Sequence, residues 1–403
     1  MLTDKYLEES GDEVSNEFST LETVLLVWMG LRLRNLSNIE NIGNDYPKWK
    51  NKAIAEFNKY SGTEFGKTKK TSLDMVKNAV VNGVTLTIEN VYNRLKKTDD
   101  KLKKKNILIN GKKDLNKGIK STQNELKNLC NISNKCANKQ FIKACDDAYS
   151  KIIAGQDAEN AIESSIKKLV QNGIEVIGYT KNNTSMDAAV RRAVTSGVNQ
   201  TSLKIKIANC EKFGINIVKT SSHGGARPDH ARWQGQFFYL DKPVKGLKKF
   251  KSSTGYGKVD GLGGANCRHS FYEVTNYEYE NNLVNDEEFE LNRNNEQYEL
   301  EQKQRYYERQ IRKWKKRKNV LDECGVDSTK ESKKIKYWQN KHSQFIKESN
   351  IQFKKEHGIN NILKKAYPRE KVIKRPLFGE NSNEKLIKKA NNIKYDGAPK
   401  IFD

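Results

Sequence analysis

Three of the chain's five histidines, His223, His230 and His269, fall within 47 residues of one another, and Cys267 stands two places before the last of them. The text reads Ser222-His-Gly-Gly-Ala-Arg-Pro-Asp-His-Ala-Arg-Trp-Gln-Gly235, then Gly255-Tyr-Gly257, then Gly264-Ala-Asn-Cys-Arg-His-Ser270. Side chains that bind protons or metals, gathered in glycine-rich loops, mark a candidate site. Three chemistries suit these types. His223, His230, Cys267 and His269 offer nitrogen and sulfur donors from two loops, a set suited to tetrahedral zinc. The spacing from His223 to His230 is not that of a zinc finger, but Cys267 and His269, two apart on an extended segment, would face the same way. The second chemistry is nucleic-acid hydrolysis, with His230 as general base, Asp229 or Asp260 orienting it and Arg227 holding phosphate; no fixed catalytic motif accompanies these residues. The third is structural. Arg227 and Arg268 would pair with Asp229 or Asp260, the imidazoles would bond backbone carbonyls, and the loops would be knitted into a docking face. The network is placed first, with no catalytic residue assigned and zinc as the one cofactor the cluster would admit.

The segments around these loops must position them. From Asp157 to Gln171 the pattern is helical, with Gly173 as a stop, and helices are predicted over Met186–Ser196 and Gln200–Phe213, ended by Gly214. After Gly214 the hydrophobic period changes from helical to alternating. Ile215–Lys219, Gln236–Leu240 and Arg268–Val274 read as strands. Residues 151–282 are therefore expected to form a central α+β domain.

Upstream, 1–97 reads as an N-terminal helical domain, a small bundle of three helices. Ser19 and Glu22 have capping-box spacing ahead of the apolar run to Trp28, and Asp45-Tyr-Pro47 looks like a second start with Trp49 and Phe57 on its buried side. A third helix is expected from Ser72 through Val80, stopping near Gly83. Residues 98–150, rich in Lys and Asn, show little periodic hydrophobicity and read as a mobile or loosely helical insertion. Downstream, 283–358 reads as a charged helical hairpin. Leu300, Tyr307, Ile311, Trp314 and Leu321 form its stripe, Glu301–Arg305 and Glu308–Arg312 are outer i,i+4 pairs, and Gly325 breaks the helix. Ser328 and Glu331 are placed to cap the second helix, which would bury Ile335, Trp338, His342, Phe345 and Ile346 and end near Gly358. The tail, 359–403, is basic and expected to be extended. The whole is an α+β protein, mostly helical.

The 403 residues carry 74 Lys and Arg against 50 Asp and Glu, a formal charge of +24, with 35% hydrophobic residues. A field of that sign draws polyanions and favours sequence-blind, salt-sensitive binding to double-stranded DNA. In Arg305-Tyr-Tyr-Glu-Arg-Gln-Ile-Arg-Lys-Trp-Lys-Lys-Arg-Lys318 cations alternate with aromatics. The aromatics fall on the hairpin stripe, so phosphate contact is assigned to Arg305, Arg309, Arg312, Lys313, Lys315, Lys316, Arg317 and Lys318. The most apolar run, Thr23–Leu31, is about half of a membrane span, and no membrane partner is expected. Six cysteines without CxxC spacing point to reduced thiols.

Three stretches, RRAVTSGVNQ (191–200), HGGARPDHARWQGQFF (223–238) and GGANCRHSFYEV (263–274), resemble the phage minor capsid protein 2 family, which is related to the head-morphogenesis proteins of Mu-like phages. The order of the motifs and the long charged helix QRYYERQIRKWKKRK (304–318) fit as well. The resemblance is best over about 185–358 and weaker over 15–97. It implies a protein added in few copies during head assembly, through the portal region, and carried in the capsid interior beside the DNA after assembly in the host cytoplasm. Portal and other head proteins would be its partners. Carried over, the motif positions are His223, Arg227, Pro228, His230, Trp233, Gly235, Asn266, Cys267 and His269, with no catalytic role attached. Gly263 and Ala265 stand where many members carry a cysteine and an aromatic, which removes one potential metal ligand. A metal-dependent nucleic-acid-processing enzyme carried in the virion is the alternative function.

Overall fold

The computed structural model describes residues 2, 4–96, 104–171, 173–176, 184–281 and 291–363. It is a mostly helical α+β protein. Three long helices come first, α1 (Asp4–Arg34), α2 (Ile42–Leu95) and α3 (Lys104–Ile153), followed by α4 (Ala158–Leu169). Strands β1 (Glu175–Val176) and β2 (Thr184–Ser185) pair as a two-stranded ribbon and lead into α5 (Met186–Lys212). The second half contains β3 (Ile217–Thr220), α6 (Pro228–Ala231), β4 (Phe237–Tyr239), β5 (Lys248–Lys249), α7 (Phe250–Thr254), β6 (Phe271–Val274) and α8 (Asn276–Glu280). A helical hairpin, α9 (Leu291–Glu323) and α10 (Thr329–His357), ends the described part.

The four-stranded sheet has the order β5-β4-β3-β6. Strand β3 is central and antiparallel to both neighbours, with Val218 opposite Phe238 on one side and Glu273 on the other; β5 runs parallel to β4. Its apolar face carries Val218, Phe238 and Phe271 and packs with Phe250, Leu262 and Trp233 against Leu203 and Cys210 of α5. The other side of α5, with Val190, Val194, Val198 and Ile205, belongs to a larger core built from α1, α2, α3 and α4. There Trp28, Phe57, Tyr60 and Phe141 meet with ring centroids 4.9 to 5.6 Å apart, within the range of favourable aromatic contacts.

The N-terminal part contains two helices where the sequence pattern predicts three. Helix α2 runs unbroken through Ser72 and Gly83, with Asn41 accepting the N–H of Asn44 as its cap. Gly83 continues the helix because its missing side chain admits Val198, Tyr6 and Leu2. Ser19 and Glu22 lie inside α1 and form no cap; Glu22 is buried and used in a tertiary contact.

The insertion expected over 98–150 is also corrected. Residues 104–153 are one helix, while 98–103 lie outside the described residues. Its buried stripe, Thr122, Leu126, Cys130, Ser133, Ala137, Phe141, Ala144 and Ala148, keeps helical spacing but, apart from Leu126 and Phe141, uses small and weakly apolar side chains, so it does not stand out among lysines. The small residues serve close approach. A Cβ on Gly118 would lie 2.1 Å from Thr201 Oγ1, and one on Gly197 would lie 2.2 Å from Thr122 Oγ1, so α3 and α5 pack nearly backbone to backbone. The same contact keeps α5 continuous where two helices are predicted.

The hairpin forms as expected, ending at Gly358 in the left-handed conformation. The expected cap does not form. Ser328 donates to Asp322, and Glu331 is buried against Arg317 at 3.0 Å. Glu301 and Glu308 are buried rather than outward; Glu301 bonds Arg305 at 3.2 Å, and Glu308 faces His342 at 3.5 Å. The tail from 364 onward lies outside the described residues.

The α3–α5 contact gives opposite expectations for two glycines. Gly62 of α2 has open space where a Cβ would go, so Gly62→Ala should stabilise by about 1 kcal/mol through helix propensity. Gly118→Ala gains the same propensity but forces a stiff β-branched neighbour aside, at about 1–3 kcal/mol. Thermal melts of the two variants should move in opposite directions.

Candidate functional site

Both motif loops rest on α5 and α9. The Asn199 side chain of α5 donates to the carbonyls of Cys267 (2.8 Å) and His269 (3.3 Å), fixing the second loop just before β6. The first loop leaves β3 and enters α6 with Pro228 at its first turn, where a fixed φ and a missing N–H cost nothing. Asn294 of α9 exchanges two hydrogen bonds with the backbone of Ala226, at 2.8 and 2.9 Å. Gly225, at φ +67°, lies so close to α9 that a Cβ would meet Glu301 at 2.5 Å. Glycine is required there on both counts.

The loops bring His230, Cys267 and His269 together, all buried, with their donor atoms within 4.8 Å of one another. Cys267 Sγ is 3.7 Å from His230 Nδ1 and 3.7 Å from His269 Nδ1. His269 Nε2 lies 3.2 Å from Gln234 Oε1, an oxygen that also accepts the His223 N–H. His230 Nε2 lies 2.7 Å from the Asp260 carbonyl and 2.7 Å from Arg227 Nη2, which donates to the same carbonyl at 3.1 Å. His223 lies outside the triad: its Nδ1 is 3.0 Å from the Gly224 carbonyl, and its ring stacks on His269 at 4.3 Å. Trp233 closes the cluster, with its ring centroid 4.7 Å from both His230 and His269. Gly235 sits at φ +70° and Asn266 at φ +55°, two backbone positions at which these loops turn.

Burial sets the protonation states. It pushes the His269 pKa well below its ordinary value, aided by the nearby His223, His230 and arginines, and it lowers His230 as well. Burial also raises the Cys267 thiol. At neutral pH the cluster is thus two neutral imidazoles around a protonated thiol, not an activated nucleophile.

Several expected pairings are replaced. Arg268 binds Glu8 of α1 at 3.2 Å rather than an aspartate of the loops. The expected Arg227–Asp229 ion pair does form, at 3.9 Å, whereas Asp260 offers Arg227 its backbone carbonyl and not its carboxylate. The Asp229 carboxylate accepts the His230 backbone N–H, while the His230 ring meets Arg227, the Asp260 carbonyl and Cys267. The geometry expected of a base oriented by Asp229 or Asp260 is therefore not the one built.

Several cations of α9 are tied to acids of the protein, while Arg309 and Lys313 are exposed. Lys316 is half-buried and bonds Glu22 of α1 at 2.8 Å and Asp187 of α5 at 3.2 Å, both of them buried. Glu22 uses its other oxygen to accept the Ile174 N–H at 2.6 Å. Arg317 bonds Glu331 and lies over the Trp314 ring at 4.4 Å; Arg305 bonds Glu301, and Lys318 bonds Asp322. Arg309, Arg312 and Lys313 line a cleft of about 500 Å³ between α9 and the α1–α5 face, together with Arg191, Arg268 and Glu8. Lys315 is half-buried. The aromatics of α9 belong to the hairpin, Tyr307 meeting Trp338 and Phe345.

The cationic surface that the sequence pattern did not single out is on α10. Lys330, Lys333, Lys334, Lys336, Lys341 and Lys347 are exposed, and the only acid between Lys330 and Lys347 is the buried Glu331. Tyr337, 47% exposed, sits between Lys334 and Lys341, whose ammonium groups are 5.6 and 5.5 Å from its ring. The signal was present: an apolar stripe through Trp338, Phe345 and Ile346 leaves Lys333, Lys336 and Lys347 on the opposite face, with Lys334 and Lys341 at its edge.

A mostly helical chain whose glycine-rich loops are knitted together by buried polar groups, with cations on an outer helix, has the form of a structural and interaction protein. The sequence profile of the phage minor capsid protein 2 family matches residues 2–347. The chain belongs to that family and is a structural protein of a phage particle. It is also 24% identical over 222 residues to a protein described as "Structural protein" from Lactococcus phage LL-H, covering 53% of this chain and 56% of that one. The chain thus matches little more than half the length of that relative. No solved structure matches it. Among the described residues, no helix is long and apolar enough to cross a membrane, and all six cysteines are free thiols.

The Lys316–Glu22–Asp187 cluster, with both carboxylates buried, makes a prediction about acid. Burial alone would raise the Asp187 pKa, but Lys316, Arg312, Ser185 and Arg191 outweigh it and hold the carboxyl well below its ordinary value. A depressed folded-state pKa contributes stability above the unfolded value that is lost as pH falls toward the folded one. Wild type should therefore exceed Asp187→Asn in stability by a constant margin above about pH 5, and the margin should shrink below about pH 4. Denaturant melts across that range measure it.

Proposed function

We propose that this protein is added to the assembling head at the portal, acts in head morphogenesis, and lies against packaged or exiting DNA through the outer face of α10. The observation that carries the DNA contact is the acid-free exposed lysine run around Tyr337. Ammonium groups along one helix face neutralise successive phosphates and release counterions without reading bases. The formal charge of +24 adds a long-range attraction to the same polyanion. Family membership and the phage relative support the placement in a head, with portal and other head proteins as partners. The motif domain would serve as the docking part, because its loops are held by buried polar contacts rather than left mobile.

Quantitative mass spectrometry of purified particles should find the chain at low copy number relative to the major head protein, and its absence from particles would overturn the reading. For the DNA contact, binding to random-sequence duplex is measured against salt for wild type and for Lys333→Glu/Lys334→Glu/Lys341→Glu. The variant should bind more weakly, and the slope of log K against log salt should fall by about 1 for each lysine that no longer meets a phosphate. An unchanged slope would remove DNA from α10. Metal-dependent cleavage of that duplex, abolished in His230→Ala, would replace this reading with a nucleic-acid-processing enzyme.

A further inference from the structure

Neither tautomer of His230 suits all of its neighbours in the cysteine–histidine cluster. Gln234 Oε1 accepts from the His223 backbone N–H, which fixes the carboxamide with its oxygen toward His269. His269 therefore carries its proton on Nε2. His230 Nε2 lies 2.7 Å from the Asp260 carbonyl, which can only accept. Arg227 Nη2, which only donates, is equally near, so either tautomer of His230 leaves a mismatch: a proton on Nδ1 sets the Nε2 lone pair against that carbonyl oxygen, and a proton on Nε2 sets it against the guanidinium. With the His230 proton on Nε2, both Nδ1 lone pairs point at Cys267 Sγ, each from 3.7 Å. A thiol has one hydrogen and can serve only one of them. The other would be a buried acceptor facing a sulfur lone pair, in residues only 1–2% exposed, an unfavourable arrangement.

We propose that His230, Cys267 and His269 bind a zinc ion that joins the two motif loops. A cation in place of the thiol proton satisfies Sγ and both Nδ1 atoms at once. Tetrahedral zinc, with Zn–S of about 2.3 Å and Zn–N of about 2.0–2.1 Å, sets sulfur and nitrogen about 3.6 Å apart, close to the 3.7 Å found for both pairs. The outer Nε2 contacts, to a backbone carbonyl and a carboxamide oxygen, are those that orient metal-bound imidazoles. Two imidazoles and a thiolate are too soft for calcium or magnesium. A blue-copper centre would call for a weak axial ligand such as methionine, and Met29, Met75 and Met186 all belong to the helical core. Three protein donors leave one position for water or another ligand. With every donor residue 2% exposed or less, substrate has no path to it, and the ion's work is to cross-link α6 to the strand β6 side of the domain.

Cobalt(II) titration of the reduced, chelator-stripped full chain tests this without reference to any activity. One equivalent should produce the near-ultraviolet thiolate-to-cobalt charge-transfer band and the visible bands of tetrahedral cobalt, and zinc should displace both. Cys267→Ser should lose the charge-transfer band, whereas His223→Ala, outside the triad, should keep it. Folded wild type that shows no such band overturns the proposal whether or not the variants fold. So does a band that persists in Cys267→Ser, since it would come from another of the six thiols.

Discussion

Helix α5 packs against a different core on each of two faces and leaves only Gln200, Lys204, Glu211 and Lys212 exposed, and much of the rest of the molecule follows from that constraint. One face closes the core of α1 to α4; the other closes the sheet. A helix enclosed in this way must bury polar groups as well as apolar ones, and each buried polar group must find a partner. Asp187 takes Lys316 from α9, Asn199 takes two carbonyls of the second motif loop, and Lys206 takes Glu273 and the Phe271 carbonyl of β6. The polar residues of α5 therefore dictate where α9, the motif loop and the edge strand sit. Close approach by α3, through Gly118 and opposite Gly197, leaves no room to slide.

Helix α9 has the complementary role of a brace. Its first turns hold the first motif loop through Asn294 and Glu301, and its later turns reach the helical core through Lys316, Val320 and Leu321. Arg34 at the end of α1 donates to the carbonyls of Cys324 and Gly325, at 2.5 and 2.7 Å, and so ties down the hairpin turn. A long helix joined at both ends to different cores couples the motif domain to the helical body. Its cations are largely used internally, so formal charge overstates what α9 presents to a polyanion. Helix α10 touches the body mainly through its partner helix, and its lysines remain on the surface.

The motif loops could be read from residue types alone, because histidine and cysteine are scarce and glycine is needed where chains approach closely. The alternating strands and the two apolar stripes of the hairpin were legible for a related reason: a period survives in the sequence when one face is buried and the other wet. Elsewhere the signal was too weak to read. Helix α3 buries Thr122, Ser133, Ala137 and Ala148, side chains that carry little hydrophobic contrast, and its segment therefore resembles a loose insertion. Gly83 and Gly197 look like helix stops, yet in the fold they are points of contact.

Residue types and their spacing along the chain were enough to set the composition of the site, the change of period that announces the sheet, the net positive charge, and the family. Packing in three dimensions was needed to settle which lysines face solvent, that His223 stands apart from the His230–Cys267–His269 triad, and that Arg268 serves Glu8 instead of the loops. The physical reason is that partners such as Glu8 and Arg268 lie 260 residues apart. Whether a charge is spent inside or offered outside depends on the packing that brings such distant groups together.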